Sequence, residues 1–305
     1  MRAVQYDRFG GPEVLSMVEL RRPEPRSTEV LVRVHAAGVN PADWRTRGGD
    51  GLAGPADLPI VPGWDVSGVV EAVAPGVTRF RPGDQVFGMP HFPRMAGAYA
   101  EYVAAPARQL ARKPAAIDHV HAAAVPVAAL TAWQTLVDTA AVGPGRRVLI
   151  RAAAGGVGHL AVQVAKLRGA YVLASSAADR LDFLRSLGAD EVVDDRREDF
   201  LTLVREVDVV LDLVVDEESV LTSQELLGPG GQLIAVGQLE YPEVPSATTV
   251  LVEPDYAVLE EIGGLLADGR LRVEVEAVFP LAEAARAHER GERGGRRGKL
   301  VLEVR

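Results

Sequence analysis

A run of small residues between two ordered segments is the clearest candidate for chemistry in this chain. Residues 151–158 read R-A-A-A-G-G-V-G, directly after the apolar segment 148–150 and at the start of a helical pattern. Small residues at such a turn let the backbone approach a pyrophosphate, and the amide groups of the following helix then face the phosphates. The run predicts a dinucleotide-binding turn with contacts from Ala154, Gly155, Gly156, Val157 and Gly158.

The turn departs in one place from the three-glycine pattern of dinucleotide-binding proteins. Ala152 occupies the first glycine position, whereas Gly155 and Gly158 keep the other two. Close packing of a helix on its strand would by itself explain a glycine turn. The strand–turn–helix–strand unit over residues 147–175 favours the cofactor instead.

The residues after the second strand of this unit indicate which dinucleotide fits. Ser175 and Ser176 end the strand and Arg180 follows, with no acid directly at the strand end. An acid there binds the ribose 2′-hydroxyl of NAD and repels a 2′-phosphate, whereas hydroxyl and guanidinium donors suit that phosphate. The pattern favours NADP(H) over NAD(H). The alternative is that Ser175 and Ser176 only cap the next helix.

Composition excludes several classes of protein and of site. The 305 residues are 48% apolar, enough to fill a core, and 33 basic against 42 acidic residues give a net charge of −9 that disfavours nucleic acid. Because the chain has no cysteine, disulfides, thiolate nucleophiles and cysteine zinc sites are excluded. We expect no metal site from the six scattered histidines, at positions 35, 91, 119, 121, 159 and 288.

Two further features concern location and surface. No run of 18 apolar residues and no signal-peptide pattern at the N-terminus is present, so we expect a cytoplasmic protein without membrane or nucleic-acid partners. Residues 286–299 carry five arginines, but glutamates lie among them. This composition is typical of a solvated surface segment rather than of a polyanion site.

The hydrophobic pattern divides the chain into two kinds of structure. The first 110 residues predict short strands separated by turns, over 29–39, 67–74, 84–89 and 98–104, and a helix is expected over 119–138 despite Pro126. From residue 146, apolar strands at 148–150, 171–174, 191–193, 208–213 and 232–236 alternate with helical segments that include 158–168 and 180–187. That alternation predicts an α/β fold with a doubly wound parallel sheet.

The C-terminal part of the chain again predicts strands, at 272–279 and 299–304. We therefore expect a nucleotide-type domain over residues 123–272, inserted into a β-rich domain formed by residues 1–122 and 273–305.

Several motifs follow one another along nearly the whole chain. They read V-N-P-A-D-W over 39–44, P-G-W-D-V-S-G-V-V over 62–70, L-T-A-W-Q-T-L over 130–136, A-A-A-G-G-V-G over 152–158, G-A-D over 188–190, P-G-G over 229–231 and R-G-K-L-V-L over 297–302. The series resembles the zinc-independent quinone oxidoreductases of the medium-chain dehydrogenase/reductase superfamily. The order and spacing of the set make this resemblance specific.

The resemblance implies a Rossmann domain inserted into a GroES-like substrate domain, NADPH as cofactor and a homodimer. It also implies that zinc is absent, since Trp64 and Asp65 stand where zinc-dependent relatives carry histidine and glutamate. Further cofactor contacts are expected from Thr131, Val214, Gly237 and Lys299.

For the substrate, the resemblance places Asn40, Asp43 and Trp44 on one wall of the cleft and Trp64, Thr131 and Trp133 opposite. Core packing is the alternative for each tryptophan. Asp65 is expected to be structural.

Three residues depart from the family pattern. Arg151 precedes the glycine turn where the family has histidine, and Val215 follows the fourth strand where a glycine is usual. Asp195 replaces a tyrosine near the adenosine end, and its charge opposes a 2′-phosphate unless Arg196 or Arg180 offsets it.

The expected reaction is hydride transfer from NADPH to a quinone or an α,β-unsaturated carbonyl. The proton is expected from solvent, because no Ser–Tyr–Lys or His–Asp relay is recognisable. No catalytic residue can be assigned from the sequence. Two alternatives stay open: an enoyl reductase of secondary metabolism, and a non-redox NADPH-binding or sensing protein.

Overall fold

The structure, a computed structural model, describes residues 1–197, 199–214, 216–237, 244 and 246–305. The described chain forms two compact units. The first unit comprises residues 1–130, 253–294 and 299–305, and the second comprises residues 131–252 and 295–298.

The first unit is built on antiparallel strands. Its elements are β1 (Arg2–Gln5), β2 (Ser16–Glu19), β3 (Glu29–Val39), α1 (Pro41–Gly48), β4 (Asp65–Val73), β5 (Gln85–Gly88), β6 (Tyr102–Pro106), β7 (Leu110–Arg112) and α2 (His119–Ala123). The long strand β3 pairs with both β4 and β6, so it runs through the middle of the main sheet. Alternate valines of β3, including Val30, Val32 and Val34, are fully buried in the core, as its period-two pattern predicts.

Two elements of this region differ from the expectation. The strand expected at 98–104 is shifted to β6, because Tyr99 and Glu101 bond outside the main ladder: Tyr99 N–H donates to Pro62 and Glu101 N–H donates to Arg2. The helix expected over 119–138 is broken after α2 and resumes as α3 (Pro126–Trp133), since Pro126 has no N–H to continue a helix and suits its first position. A π-helical stretch, Gln134–Thr139, follows α3.

The second unit contains the parallel sheet. Its elements are β8 (Arg147–Ile150), α4 (Gly158–Leu167), β9 (Tyr171–Ser176), α5 (Leu181–Ser186), β10 (Glu191–Asp194), α6 (Phe200–Leu203), β11 (Val207–Asp212), α7 (Glu217–Glu225), β12 (Leu227–Ala235) and β13 (Thr248–Thr249). Among the described residues the strand order is β10-β9-β8-β11-β12-β13. This is the doubly wound order of Rossmann domains, in which the order reverses between the first and the fourth strand, and it confirms the predicted fold class.

The remaining elements are α8 (Tyr256–Ala267), β14 (Val275–Pro280), α9 (Ala284–Glu292) and β15 (Lys299–Glu303). They complete the first unit, where β15 pairs with β3 on one side and with β14 on the other. Among the described residues, no helix combines the length and the apolar character needed to cross a bilayer.

The limits of the two units differ from the expected domain boundaries. Residues 123–130 and 253–272 belong to the first unit, although the sequence pattern grouped them with the nucleotide-type domain. The reason is side-chain packing that a helical pattern does not reveal. On α8, Gly263 faces Pro114 and the Phe87 ring, and Glu260 pairs with Arg79 at 2.7 Å.

Candidate functional site

The glycine turn has the tight geometry that its composition predicts. Ala152 adopts a φ of 51°, in the left-handed region that glycine prefers. The turn is tied to the end of the neighbouring strand β9, since the N–H of Ala153 donates to Ser175 O at 2.9 Å. A Cβ on Gly158 would lie 2.6 Å from Ala153 Cα, so only glycine lets α4 start this close to the backbone of the turn.

The outer part of the turn is accessible. Gly155, Gly156 and Val157 are half-buried, and a Cβ on Gly155 would meet only the carbonyl oxygen of Ala152, at 3.3 Å. The backbone can therefore be approached from outside at the start of α4, where amide groups favour an anion. These features fit the pyrophosphate of a dinucleotide.

The end of β9 carries the second group of predicted cofactor residues. Ser175 is fully buried, and its Oγ has no hydrogen-bond partner within the described chain. Ser176 is also buried, whereas the Arg180 side chain keeps 20% of its surface exposed and lies 3.5 Å from Asp179. A buried hydroxyl without a partner costs free energy unless a ligand or water satisfies it, so this strand end fits a polar ligand.

Helix capping does not explain the two serines. The 3₁₀ turn Ala178–Arg180 follows Ala177, and α5 follows Arg180, in each case without a side-chain cap. The alternative role of Ser175 and Ser176 as helix caps is therefore wrong for the described structure.

Arg151, the first departure from the family pattern, is part of a buried polar network. Its Nη1 donates to Ser219 O at 2.7 Å and to Ser223 Oγ at 2.9 Å, and lies 3.2 Å from Asp212 Oδ2. The same carboxylate oxygen accepts from Ser219 Oγ at 2.7 Å and from Ser223 Oγ at 2.6 Å. Its other oxygen accepts from the N–H of Val214 at 2.9 Å. The network ties the ends of β8 and β11 to α7.

The two other residues that depart from the family pattern are Val215 and Asp195. Val215 lies outside the described residues. Asp195, after β10, is half-buried, and burial raises its pKa while the nearby positive charge of Arg151 opposes the shift.

In the first unit, a buried charged cluster joins three residues of the predicted cleft motifs. Asp65 Oδ2 accepts from Asn40 Nδ2 at 2.9 Å and lies 3.2 Å from Lys299 Nζ, and Lys299 Nζ also donates to Asn40 Oδ1. Asp65 Oδ1 accepts from the N–H of Val127 at 2.7 Å. All three cluster residues are almost completely buried. Asp65 is thus structural, as predicted.

This cluster shows which protein groups Asn40 and Lys299 contact. The Lys299 amine is directed to Asp65 and Asn40, because a buried ammonium needs a carboxylate and hydrogen-bond acceptors around it. The polar atoms of both side chains are held by protein groups, and the expected contacts of Lys299 with the cofactor and of Asn40 with the substrate stay predictions.

Asp43 is likewise buried rather than part of an open wall. Its Oδ2 accepts from the N–H of Asn40 at 2.7 Å, which fixes the start of α1. Burial raises the pKa of Asp43 to about 7, the Asn40 hydrogen bond opposes that shift, and the charge of Asp65 adds to it. The Tyr99 hydroxyl, close to Asp43, is hydrogen-bonded to His288 Nε2 at 3.2 Å, and Arg47 Nη1 donates to His288 Nδ1 at 2.9 Å.

The three tryptophans have different environments. Trp64 is fully buried, its indole N–H donates to Arg94 O at 2.8 Å, and its ring packs edge-on against Phe92. This corrects the expectation that Trp64 lines the cleft, since its ring is covered and its one donor is used. Trp44 is half-buried beside His288, and Trp133 is 6% exposed at the end of α3.

The structure spreads the other predicted cofactor residues over separate elements. Thr131 is buried on α3, where its carbonyl accepts from Thr135 Oγ at 2.7 Å. Val214 is 38% exposed two residues after the end of β11, and Gly237 is exposed two residues after the end of β12 with a φ of 118°. Val214 and Gly237 therefore follow the ends of neighbouring strands, where ligands bind in open α/β sheets.

Sequence reasoning missed the partners of Arg151. Asp212, Ser219 and Ser223 are polar residues at the end of a strand and along one face of a short helix, and each type is common there. The only signal was Arg151 itself, a charge directly after an apolar strand.

Among the described residues, no group of three or more histidine and carboxylate side chains is placed to hold a metal ion. His35 and His119 stack with ring centroids 4.3 Å apart, and His119 Nδ1 is 2.8 Å from Ser67 Oγ. Burial lowers the pKa of His119 to about 4, and the neighbouring His35 charge adds to that shift.

Two family models match the chain. Residues 26–115 match the alcohol dehydrogenase GroES-like domain, and residues 187–302 match the model described as zinc-binding dehydrogenase. The first match confirms the expected GroES-like character of the N-terminal strands.

Curated relatives are similar over 99% of this chain. A chloroplastic quinone-oxidoreductase homolog of Spinacia oleracea is 34% identical, with 98% of that protein covered. A chloroplastic NADPH-dependent alkenal/one oxidoreductase of Arabidopsis thaliana is also 34% identical, with 79% of that protein covered.

Solved structures agree with the sequence matches. The quinone oxidoreductase from Coxiella burnetii is 38% identical with a TM-score of 0.96, covering 100% of this chain and 99% of that chain. Escherichia coli quinone oxidoreductase complexed with NADPH is 28% identical with a TM-score of 0.89, and both chains are covered completely. With sequence similarity, fold and motif order in agreement over the full length, the chain belongs to the quinone oxidoreductase family of the medium-chain dehydrogenase/reductase superfamily.

Proposed function

We propose that this protein is a zinc-independent oxidoreductase that uses NADPH to reduce a quinone or an α,β-unsaturated carbonyl. The observation that carries the proposal is the glycine turn next to the Ser175 hydroxyl, which has no partner among the residues that the structure describes, in a chain similar over its full length to quinone oxidoreductases. The names of the relatives cover both acceptor classes, and one solved relative is an NADPH complex.

The residues present fit the cofactor. The N–H of Gly155 donates to Ala152 O within the turn, so the amide groups of Gly156 and Val157, just before α4, would hold the pyrophosphate. Ser175, Ser176 and Arg180 would donate to the 2′-phosphate of the adenosine ribose, and no acid ends β9 to repel it. Val214 and Gly237, exposed after β11 and β12, remain proposed contacts at the nicotinamide half.

When bound, NADPH supplies the hydride. A quinone or enone that accepts it becomes an anion, and a proton from solvent completes the reduced product. The protein's own task is to hold the acceptor and cofactor in reach of each other and to limit the entry of water. Trp44, which is half-buried, remains a proposed aromatic contact for a flat acceptor, and the contact expected from Trp133 stays a prediction from the sequence.

Zinc independence is supported by the residues at the position of the family's metal motif. Trp64 is packed in the core, and Asp65 is used by Asn40, Lys299 and the Val127 amide. The chain contains no cysteine that could replace them. Elemental analysis should find no stoichiometric zinc, and prolonged chelation should leave the reductase rate unchanged; loss of activity with zinc removal would contradict this part.

The decisive experiment is an NADPH-oxidation assay with a panel of quinones, enals, enones and an enoyl thioester. We expect turnover with quinones or enones and a lower kcat/KM with NADH than with NADPH. Preferential reduction of the thioester would support the enoyl reductase alternative. NADPH binding without turnover on any acceptor would instead support a non-redox binding role.

The homodimer and the cytoplasmic location stay predictions from the sequence. Light scattering coupled to size-exclusion chromatography tests the first: a mass near twice 32.5 kDa is expected, and a mass near 32.5 kDa would contradict it.

A further inference from the structure

The arginine-rich segment near the C-terminus contributes a short loop to the second unit. Residues 295–298, G-R-R-G, belong to that unit although the chain on both sides belongs to the first. The N–H of Gly298 donates to Ala154 O, in the glycine turn, at 2.8 Å. At the other end of the loop, Gly295 packs on Arg180, whose Nη2 lies 3.1 Å from the position a Cβ would take.

These contacts locate the loop between two parts of the cofactor site. Arg180 follows β9, and Ala154 lies in the turn that follows β8. The same two places are already joined by the hydrogen bond from Ala153 N–H to Ser175 O. In a doubly wound sheet, the adenosine ribose and the pyrophosphate bind between the first glycine turn and the end of the second strand. The loop therefore runs beside the place of the ribose phosphate.

The loop brings positive charge to this place. Arg296 is half-buried and Arg297 is exposed, and the Arg297 guanidinium carbon lies 4.4 Å from the ring centroid of Phe183 on α5. Phe183 is one helical turn after Arg180. Stacking on Phe183 restrains the Arg297 guanidinium against α5, the helix that begins directly after Arg180, and a guanidinium is suited to bind a phosphate.

The backbone of the loop explains its glycines. Gly295 and Gly298 have φ angles of 60° and 79°, which side chains other than glycine adopt at a cost. The G-R-R-G sequence thus presents two arginines on a tight turn whose ends are fixed at Arg180 and Ala154.

We propose that Arg296 and Arg297 complete the 2′-phosphate subsite formed by Ser175, Ser176 and Arg180, and so determine the preference for NADPH over NADH. The proposal rests on NADP(H) as the cofactor. It replaces the interpretation of residues 286–299 as a purely solvated surface.

The test uses two fragments that differ only in the 2′-phosphate. Adenosine 2′,5′-bisphosphate and adenosine 5′-monophosphate are titrated by calorimetry into the wild-type protein and into Arg297→Ala, Arg297→Met and Arg296→Ala. Arg297→Met keeps an apolar chain to pack on Phe183 without the charge. Arg286→Ala, an exposed arginine of α9 outside the loop, is the matched control for a change of one unit in net charge.

We expect each loop variant to bind the bisphosphate about tenfold more weakly, the size of one charge-assisted hydrogen bond, with unchanged affinity for the monophosphate. Arg286→Ala should match the wild type. Equal weakening of both fragments would show that the loop acts by packing, and unchanged bisphosphate binding would overturn the proposal.

The wild-type titration separates this inference from the cofactor assignment. If the wild type itself binds both fragments equally, NADP(H) specificity is wrong. If the wild type prefers the bisphosphate and Arg297→Met retains that preference, only the role of Arg297 is wrong. Thermal unfolding of every variant identifies any that lose the fold. If Arg297→Ala is unfolded, the titrations of Arg297→Met and Arg296→Ala still test the proposal.

Discussion

The guanidinium of Arg151 and the carboxylate of Asp212 form a buried ion pair across neighbouring parallel strands, with Nη1 3.2 Å from Oδ2. Arg151 follows β8 and Asp212 ends β11, the two strands between which the order of the sheet reverses. Ligands of doubly wound sheets bind at this reversal, so the pair supports the backbone beside the cofactor site.

Removing one partner should destabilise the protein strongly. Arg151→Met leaves the buried Asp212 carboxylate with its serine and amide donors but without its cation, and we expect a loss of about 3 kcal/mol in the free energy of unfolding. Urea denaturation measures it. Arg168→Ala, at an exposed position after α4, is the control and should change the free energy by less than about 0.5 kcal/mol. Equal effects of the two changes would show that the ion pair contributes nothing.

The buried Lys299–Asp65 pair gives a second prediction. Lys299→Met and Asp65→Asn should each destabilise the fold by about 3 kcal/mol, because each leaves a buried polar group without its partner. The double variant should lose less than the sum of the two, which a double-mutant cycle by urea denaturation measures. Additive losses would show that the two side chains are not coupled. A Lys299→Met variant that keeps full stability and loses only NADPH binding would support Lys299 as a cofactor ligand.

The glycine turn predicts opposite results for two substitutions. Gly155→Val should remain folded and bind NADPH at least about tenfold more weakly, because the added side chain covers the backbone that approaches the pyrophosphate. Gly158→Ala should instead cost about 2 kcal/mol of stability, since its Cβ would lie 2.6 Å from Ala153 Cα.

Calorimetric titration and thermal unfolding separate these two effects. Gly155→Ala is the matched control for Gly155→Val and should weaken binding less. A Gly155→Val protein with wild-type NADPH affinity would contradict the placement of the pyrophosphate.

The pH dependence of the free energy of unfolding should show the lowered pKa of His119. Its pKa is lowered to about 4 in the folded state, so between its ordinary value of 6.5 and about 4 the unfolded chain binds a proton that the folded chain does not. This residue therefore makes the free energy of unfolding fall as the pH falls through that range. His119→Asn should show a shallower decline from pH 7 to pH 4.5 in urea denaturation, whereas His121→Asn, at an exposed position, should follow the wild type.

Asp43 contributes to the pH dependence of the free energy of unfolding with the opposite sign. It is present in the wild type, in His119→Asn and in His121→Asn. Its pKa is raised to about 7 from 3.8, so its contribution to stability falls as the pH rises between these values. The comparison of His119→Asn with the wild type cancels this term, and identical slopes would contradict the lowered pKa of His119.

Local sequence patterns predicted those helices, strands and turns that depend mainly on residues adjacent in the sequence. The apolar runs of β8, β9 and β11 and the small residues of the glycine turn follow from periodicity and from the room that the backbone needs. The break at Pro126 shows the limit of the pattern, because apolar alanines on both sides suggested one helix and a single missing N–H divided it.

The amino-acid sequence by itself determined the parallel sheet, the glycine turn, the absence of cysteine chemistry and the hydroxyl-rich end of β9, since each depends on residues close together in the chain. Only the tertiary structure decided how distant polar residues are used. Lys299 lies 259 positions from Asn40 and meets it in a buried cluster, and the G-R-R-G loop packs on Arg180 and Ala154, more than 110 positions earlier. Spacing along the chain carries no information about such pairs, because burial and charge pairing are fixed only when the strands and helices pack.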